Sequence, residues 1–135
     1  MEETLKNIGE TVTFKKGERI ITQGEKANFA YMILEGQVKV FVEDGTRKVE
    51  LATLEAGQIF GETAILSADN DYSANIEANT DCTLAIITQD HLKSLIEGSD
   101  PIVRALLHML MQRLKNTNDA LIKSETREFM DIVLI

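Results

Sequence analysis

The residues able to do covalent or metal chemistry are few, and their spacing argues against it. Catalysis needs a nucleophile beside a base, paired carboxylates in a cleft, or a set of metal ligands. The two histidines, His91 and His108, fall on segments with helical patterning, far from any cysteine or acid cluster at ligand spacing. A metal-dependent barrel enzyme would draw several histidines from its strands, and the strand-rich half of this chain has none. Cys82 sits in the apolar stretch Cys82-Thr-Leu-Ala-Ile-Ile87 with no basic neighbour, the setting of a buried thiol and not of a thiolate nucleophile. Neither a P-loop nor a dinucleotide-binding glycine fingerprint is present. The expectation is a protein that is not an enzyme, with no catalytic residues, no metal site and no resident cofactor.

The elements that position everything else fit one domain. The chain has 135 residues, enough for a single contiguous core. Hydrophobic residues make up 44%, with no apolar run long enough to cross a bilayer. The start, Met1-Glu2-Glu3-Thr4, lacks the basic-then-apolar layout of a secretory signal. A single cysteine excludes an internal disulfide and suits a reducing compartment, so a soluble cytoplasmic protein with no membrane partner is expected. The formal net charge is −8, and residues 1–100 hold nine Lys/Arg against eighteen Asp/Glu. Duplex binding needs clustered cations to displace condensed counterions, so no direct nucleic-acid partner is expected. The plainer reading of most of these acids is a solvated surface.

From about Thr11 to Thr88 the chain reads as short strands broken by turns. Phe29-Ala-Tyr-Met-Ile-Leu-Glu35 is a buried apolar run that stops at Gly36. Gln37-Val-Lys-Val-Phe-Val-Glu43 and Arg47-Lys-Val-Glu-Leu-Ala-Thr-Leu54 alternate, joined by the hairpin signal Asp44-Gly45-Thr46. Ser73–Ala78 and Cys82–Ile87 supply two more strands. Glycines at 17, 24, 36, 45, 57 and 61 punctuate this half as in a sandwich or barrel. Thr88 caps a short helix, Gln89–Glu97, ended by Gly98. Asp100-Pro101 then opens a long helix, free of glycine and proline to about Met130. The expected division is a β-roll over residues 1–98 with short flanking helices, and a long helix over 99–135 belonging to the same domain.

Val103, Leu107, Leu110, Leu114, Thr117, Leu121 and Ser124 alternate spacings of four and three, the seam of a two-stranded coiled coil. Leu106, Met109 and Met111 are expected to face the β-roll, making the helix apolar on two sides. A helix of that kind is best explained by two contacts, its own domain and a second subunit. Homodimerisation through Val103, Leu107, Leu110, Leu114 and Leu121 is therefore expected.

Three segments, taken in order, carry a resemblance. Phe14-Lys-Lys-Gly-Glu-Arg-Ile-Ile-Thr-Gln-Gly-Glu25, Tyr31-Met-Ile-Leu-Glu-Gly-Gln-Val-Lys-Val40 and Ala56-Gly-Gln-Ile-Phe-Gly-Glu-Thr-Ala-Ile-Leu66 resemble the cyclic-nucleotide-binding domain of the catabolite-activator and protein-kinase-A regulatory family. The resemblance spans about Thr11 to Leu121. It implies a mainly β fold with helices: a jelly-roll-like β-roll followed by a long dimerising helix. It also implies a phosphate-binding cassette over Gly61, Glu62, Thr63 and Ala64, where backbone N–H groups meet a cyclic phosphate. Glu62 would accept from a ribose 2′-hydroxyl, or would simply cap a short helix. Thr117 and Asn118 would reach a purine base, or would form a polar layer that fixes coiled-coil register.

The sequence also departs from that family's pattern. The arginine that usually pairs with the phosphate is replaced by Tyr72, with Ser73 and Ala74 matching the small residues after it. No Lys or Arg occurs between Lys48 and Lys93, while Asp69 and Asp71 lie in the loop. Losing such a charge-assisted pair costs on the order of a hundredfold in affinity. Lys39, Arg113 or Lys115 are the alternative sources of positive charge. The expected function is a regulatory, homodimeric ligand-binding module whose nucleotide (cyclic AMP or a related ligand) is bound weakly or with altered specificity, acting on an effector protein or domain. The alternative is a ligand-free dimerisation scaffold. The activator family continues into a helix-turn-helix domain, so the chain reads as a stand-alone sensor or as part of something longer.

Overall fold

A computed structural model describes residues 10–66 and 70–123, with side chains through Arg113. In chain order the elements are β1 (Thr11–Phe14), β2 (Arg19–Ile21), β3 (Phe29–Glu35), β4 (Gln37–Asp44), β5 (Arg47–Glu55), β6 (Ile59–Phe60), α1 (Glu62–Leu66), β7 (Asn75–Ala78), β8 (Cys82–Thr88), α2 (Gln89–Glu97) and α3 (Pro101–Lys123). The strands pair antiparallel in two four-stranded sheets, ordered β1-β8-β3-β6 and β2-β7-β4-β5. The result is the expected β-roll followed by a long helix. Among the described residues no helix is long and apolar enough to cross a membrane.

Side-chain alternation explains how the sheets close. Val38, Val40 and Val42 of β4 enter the core between the sheets, with Ile33, Phe60, Ile76 and Leu84. Lys39, between two of those valines, reaches Glu50 at 4.0 Å and Glu77 at 3.9 Å on the outer face. Strand β3 reads as an unbroken apolar run because both its faces are covered. Tyr31 and Ile33 face the other sheet, while Ala30 and Met32 pack with Ala64, Ile65 and Ile87 under the helices. Phe41 breaks the pattern. It is fully buried, yet lies outside the central cluster, under the Arg19 guanidinium at 5.0 Å and the Lys48 ammonium at 4.2 Å. Two cations over one ring close a surface that alternation alone would leave open.

The helix signals hold at close range. The Thr88 hydroxyl accepts from the His91 N–H at 3.1 Å, and the Asp100 carboxylate accepts from the Ile102 N–H at 2.8 Å. These caps satisfy amides that a helix start leaves orphaned. The reading of Ser73–Ala78 as strand is too long, because only Asn75–Ala78 pairs, and Ser73-Ala74 remain in the preceding turn.

The packing of α3 needs correction. Leu106 and Met109 were expected against the β-roll, yet they are 47% and 43% exposed. Val103, Leu107 and Leu110 of the coiled-coil seam are 46%, 37% and 51% exposed. Periodicity marks the face a helix must cover and leaves open what covers it. Helix α3 is tied at its base, where the Arg104 guanidinium donates to the Glu97 carbonyl at 2.8 Å. Leu114, Thr117, Asn118 and Leu121 belong to α3, but their side chains lie outside the described residues, as does Ser124.

Gly36 separates β3 from β4 at φ +93°, and a Cβ there would sit 2.4 Å from the Asp81 carbonyl and 2.9 Å from the Cys82 sulfur. Gly17 has nearly the same φ, +92°, with open space around it. Gly17→Ala is expected to cost about 1–2 kcal/mol, the left-handed conformation alone. Gly36→Ala adds a backbone clash and is expected to cost about 3 kcal/mol or more. Urea unfolding of the two variants measures the difference, and equal losses would sink the close-approach argument.

Candidate ligand-binding site

Gly61 turns the chain from β6 into α1. It is buried at φ +83°, and a Cβ would lie 3.2 Å from the Phe29 carbonyl and 3.4 Å from the Ala30 Cα. Only glycine allows this turn to press against β3. Helix α1 is anchored by Ile65, which is fully buried, and by the Gln89 side-chain amide, which donates to the Ile65 carbonyl at 2.7 Å. Beside it lies an open hollow of about 220 Å³, solvent space included, lined by Ile21, Gly61, Ala64, Tyr72, Ser73, Ala74 and Ile76.

Five of the nine residues expected at the site therefore meet around one hollow: Gly61, Ala64, Tyr72, Ser73 and Ala74. Glu62 and Thr63 are half-buried on α1 without lining it. Thr117 and Asn118 lie outside the described side chains, as Asp69 lies outside the described residues altogether. Ile21 and Ile76 form part of the lining and were missed. They sit opposite each other on β2 and β7, a pairing that only the sheet register creates.

Tyr72 is held by its backbone and by its hydroxyl. Its N–H donates to the Glu25 carbonyl at 3.0 Å, and its carbonyl accepts from the Gly24 N–H at 2.9 Å. The hydroxyl donates to the Phe29 carbonyl at 2.6 Å and accepts from the Phe29 N–H at 3.3 Å. The ring packs against both hydrophobic clusters. Burial raises the phenol's pKa above its ordinary 10.0, the Phe29 contact offsets part of this, and the Glu25 carboxylate adds to the rise. Where the resemblance puts a cation, this chain holds a neutral hydroxyl already engaged.

Glu62 opens α1. Burial raises its carboxyl above the ordinary range, offset in part by a hydrogen bond from its own backbone N–H. The second oxygen, Oε2, is buried and finds no partner among the described residues, so the group keeps an acceptor for a donor.

Among the described residues no Lys or Arg lines the hollow. Lys39 is committed to Glu50 and Glu77, and the Arg113 side chain is exposed on α3. Lys115 has no described side chain. Cys82 is buried, its thiol 3.1 Å from both the Gln37 and the Thr80 carbonyls.

Two substitutions test these contacts. Tyr72→Phe leaves both Phe29 backbone groups without their partner and is expected to cost about 1–2 kcal/mol in urea unfolding. An unchanged midpoint would show that the hydroxyl contact is idle. For Glu62, a raised pKa means that the folded state holds the proton more tightly than the unfolded chain. Its contribution is complete below the ordinary 4.5 and is lost as pH rises through the raised value. Glu62→Gln removes that loss, so the variant should gain on wild type as pH climbs from 4.5 towards neutrality. Parallel curves would rule out the burial of this carboxyl.

Comparison with known proteins agrees with the fold. The profile of the cyclic nucleotide-binding domain matches residues 11–99. The cAMP-activated global transcriptional regulator CRP of Haemophilus influenzae is 33% identical over 100 residues, 73% of this chain and 45% of the relative. The cGMP-dependent protein kinase of Plasmodium berghei is 33% identical over 131 residues, 97% of this chain and 12% of the kinase. The cAMP-bound structure of the EAL enzyme Bd1971 superposes with a TM-score of 0.70 at 28% identity, covering 83% of this chain and 30% of that one. The chain thus spans about half the length of the CRP relatives it matches. One expectation is overturned: the acidic charge balance was read as excluding a nucleic-acid partner, yet these relatives are transcriptional regulators. The field of one region of a protein carries no information on the charge of the rest, so net charge over this span supports no such exclusion. With the profile covering the β-roll and the relatives covering most of the sequence, this chain belongs to the cyclic nucleotide-binding domain family.

Proposed function

We propose that this chain is a cytoplasmic regulatory module, not a catalyst, that takes a small ligand of cyclic-nucleotide type in the hollow beside α1 and passes the effect to a partner protein or domain through α3. The observation that carries the reading is the convergence of Gly61, Ala64, Tyr72, Ser73 and Ala74 on that hollow. The site differs from the family's usual one because Tyr72 replaces the phosphate-pairing arginine, so cyclic-nucleotide affinity is weakened or its specificity altered. The match covers 12% of the kinase and 30% of the EAL enzyme chain, so the shared region is a minor part of each. The division at residue 98, with the helix after it as the dimer interface, belongs to the same proposal. Its support is the exposed stripe Val103, Leu107 and Leu110.

A second reading, a ligand-free dimerising scaffold, is favoured by the same Tyr72 and by the absence of cations from the described lining. Isothermal titration with cyclic AMP and cyclic GMP separates the two. The ligand-binding reading expects saturable binding about a hundredfold weaker than an arginine-bearing site would give. Glu62→Ala should weaken it a further tenfold or so through a lost hydrogen bond. No heat and no change in melting temperature with either nucleotide leaves the scaffold. For the dimer, sedimentation equilibrium should show two chains, reduced to one by Leu107→Glu with Leu110→Glu while the β circular dichroism is kept. A wild-type monomer would remove the dimer from the proposal.

A further inference from the structure

We infer that Asn75 is a positioning residue for the hollow, setting its wall from the opposite face of the second sheet. The inference rests on the reading of the hollow as a ligand site and names what holds that wall in place.

Ile21 of β2, Ile76 of β7 and Ala74 just before β7 line the hollow together. Alternation turns the side chain between Ala74 and Ile76 to the other face. That side chain is Asn75, opposite Phe41 of β4 and only 3% exposed. A buried carboxamide needs partners, and Asn75 has them. Its Oδ1 accepts from the Gln23 N–H at 2.8 Å and from Arg19 Nη1 at 2.9 Å. Its Nδ2 donates to Gln23 Oε1 at 3.4 Å. Gln23 Oε1 also accepts from the Glu43 N–H at 3.2 Å, and Arg19 Nη2 meets the Glu43 carboxylate at 3.7 Å. The four residues form a closed ring behind the lining.

The ring closes a gap in the backbone pairing. Strands β2 and β7 shift register between Arg19 and Ile21, and their pairing stops at Ile21 opposite Ile76. Farther on, the Gly24 N–H donates to the Tyr72 carbonyl at 2.9 Å. Between these two points the Gln23 N–H is taken by a side chain, Asn75, and not by a ladder carbonyl. One oxygen thus grips β2 two residues before Ile21 and two residues after it. That double grip fixes how far Ile21 reaches into the hollow.

The test uses the whole chain with carbon-13 at its isoleucine methyls, and cyclic AMP as the probe. In Asn75→Ala the Ile21 and Ile76 methyl signals should shift, while that of Ile87, in the other cluster, stays in place. Asn75→Asp keeps the accepting oxygen and should hold all three near their wild-type positions. Cyclic AMP affinity should fall about tenfold in Asn75→Ala and return in Asn75→Asp. A role in stability alone would lower the urea midpoint and leave the methyls and the affinity of the folded chain unchanged. Unmoved Ile21 and Ile76 methyls in folded Asn75→Ala overturn the inference, as do moved methyls with unchanged affinity. No binding by the wild type overturns the ligand reading instead, and the methyl shifts then decide alone whether Asn75 sets the wall. Arg19→Met, which removes only the grip before Ile21, should move the Ile21 methyl and decides the matter where Asn75→Ala does not fold.

Discussion

The Tyr72 hydroxyl accepts from the N–H of Phe29 and donates to its carbonyl, so one side chain joins the start of β3 in one sheet to the turn that enters β7 in the other. Backbone bonds from Gly24, Glu25 and Ala27 to residues 70–72 close the same seam. With the ring packed against both clusters, the hollow's shape follows from this contact. Gly61 then sets its depth, because the missing Cβ lets the β6–α1 turn lie on Phe29 and Ala30. Position 72 therefore acts at once on packing and on the shape of the hollow. A residue able to reach a phosphate could not keep both Phe29 groups bonded in this way.

Polar groups elsewhere in the roll are spent on closure. Asn75, the buried polar residue of β7, accepts from the Arg19 guanidinium and from the Gln23 N–H at 2.8 Å, while the Gln23 side chain accepts from the Glu43 N–H at 3.2 Å. With Lys48 and Arg19 over Phe41, this network covers the outer side of the second sheet. Charge that could have served a ligand serves the fold instead. The long helix shows the opposite balance. Its apolar side chains from Ile102 to Leu110 form an arc wider than one two-stranded seam and remain exposed in the single chain.

Much of the roll was legible from local patterns. Alternation in Gln37–Asp44 and the glycine stop after Glu35 located β3 and β4, because a strand with one or both faces buried must show it every second residue. Thr88 and Asp100-Pro101 located two helix starts, because capping is decided within three residues. The candidate site was half legible. Gly61, Ala64, Tyr72, Ser73 and Ala74 were found through motif order, but Ile21 and Ile76 were not. Nothing local marks them, since any inward strand position is apolar. Net charge misled in a similar way, as a sum over the chain in hand treated as a property of the whole protein.

By itself the sequence determined what is periodic or nearest-neighbour: strands β3, β4, β5 and β8, two helix caps, the glycine-marked turns, the apolar stripe of α3 and the lack of Lys and Arg between Lys48 and Lys93. Those features depend on steric rules and hydrogen bonds acting over a few residues. Only the tertiary structure decided that the Tyr72 hydroxyl would find Phe29, that Phe41 would be buried under two cations, and that Leu106 and Met109 would stay exposed. These outcomes turn on how sheets and helices seat against one another, and residues such as Phe29 and Tyr72, separated by 43 positions, meet only once both sheets have closed.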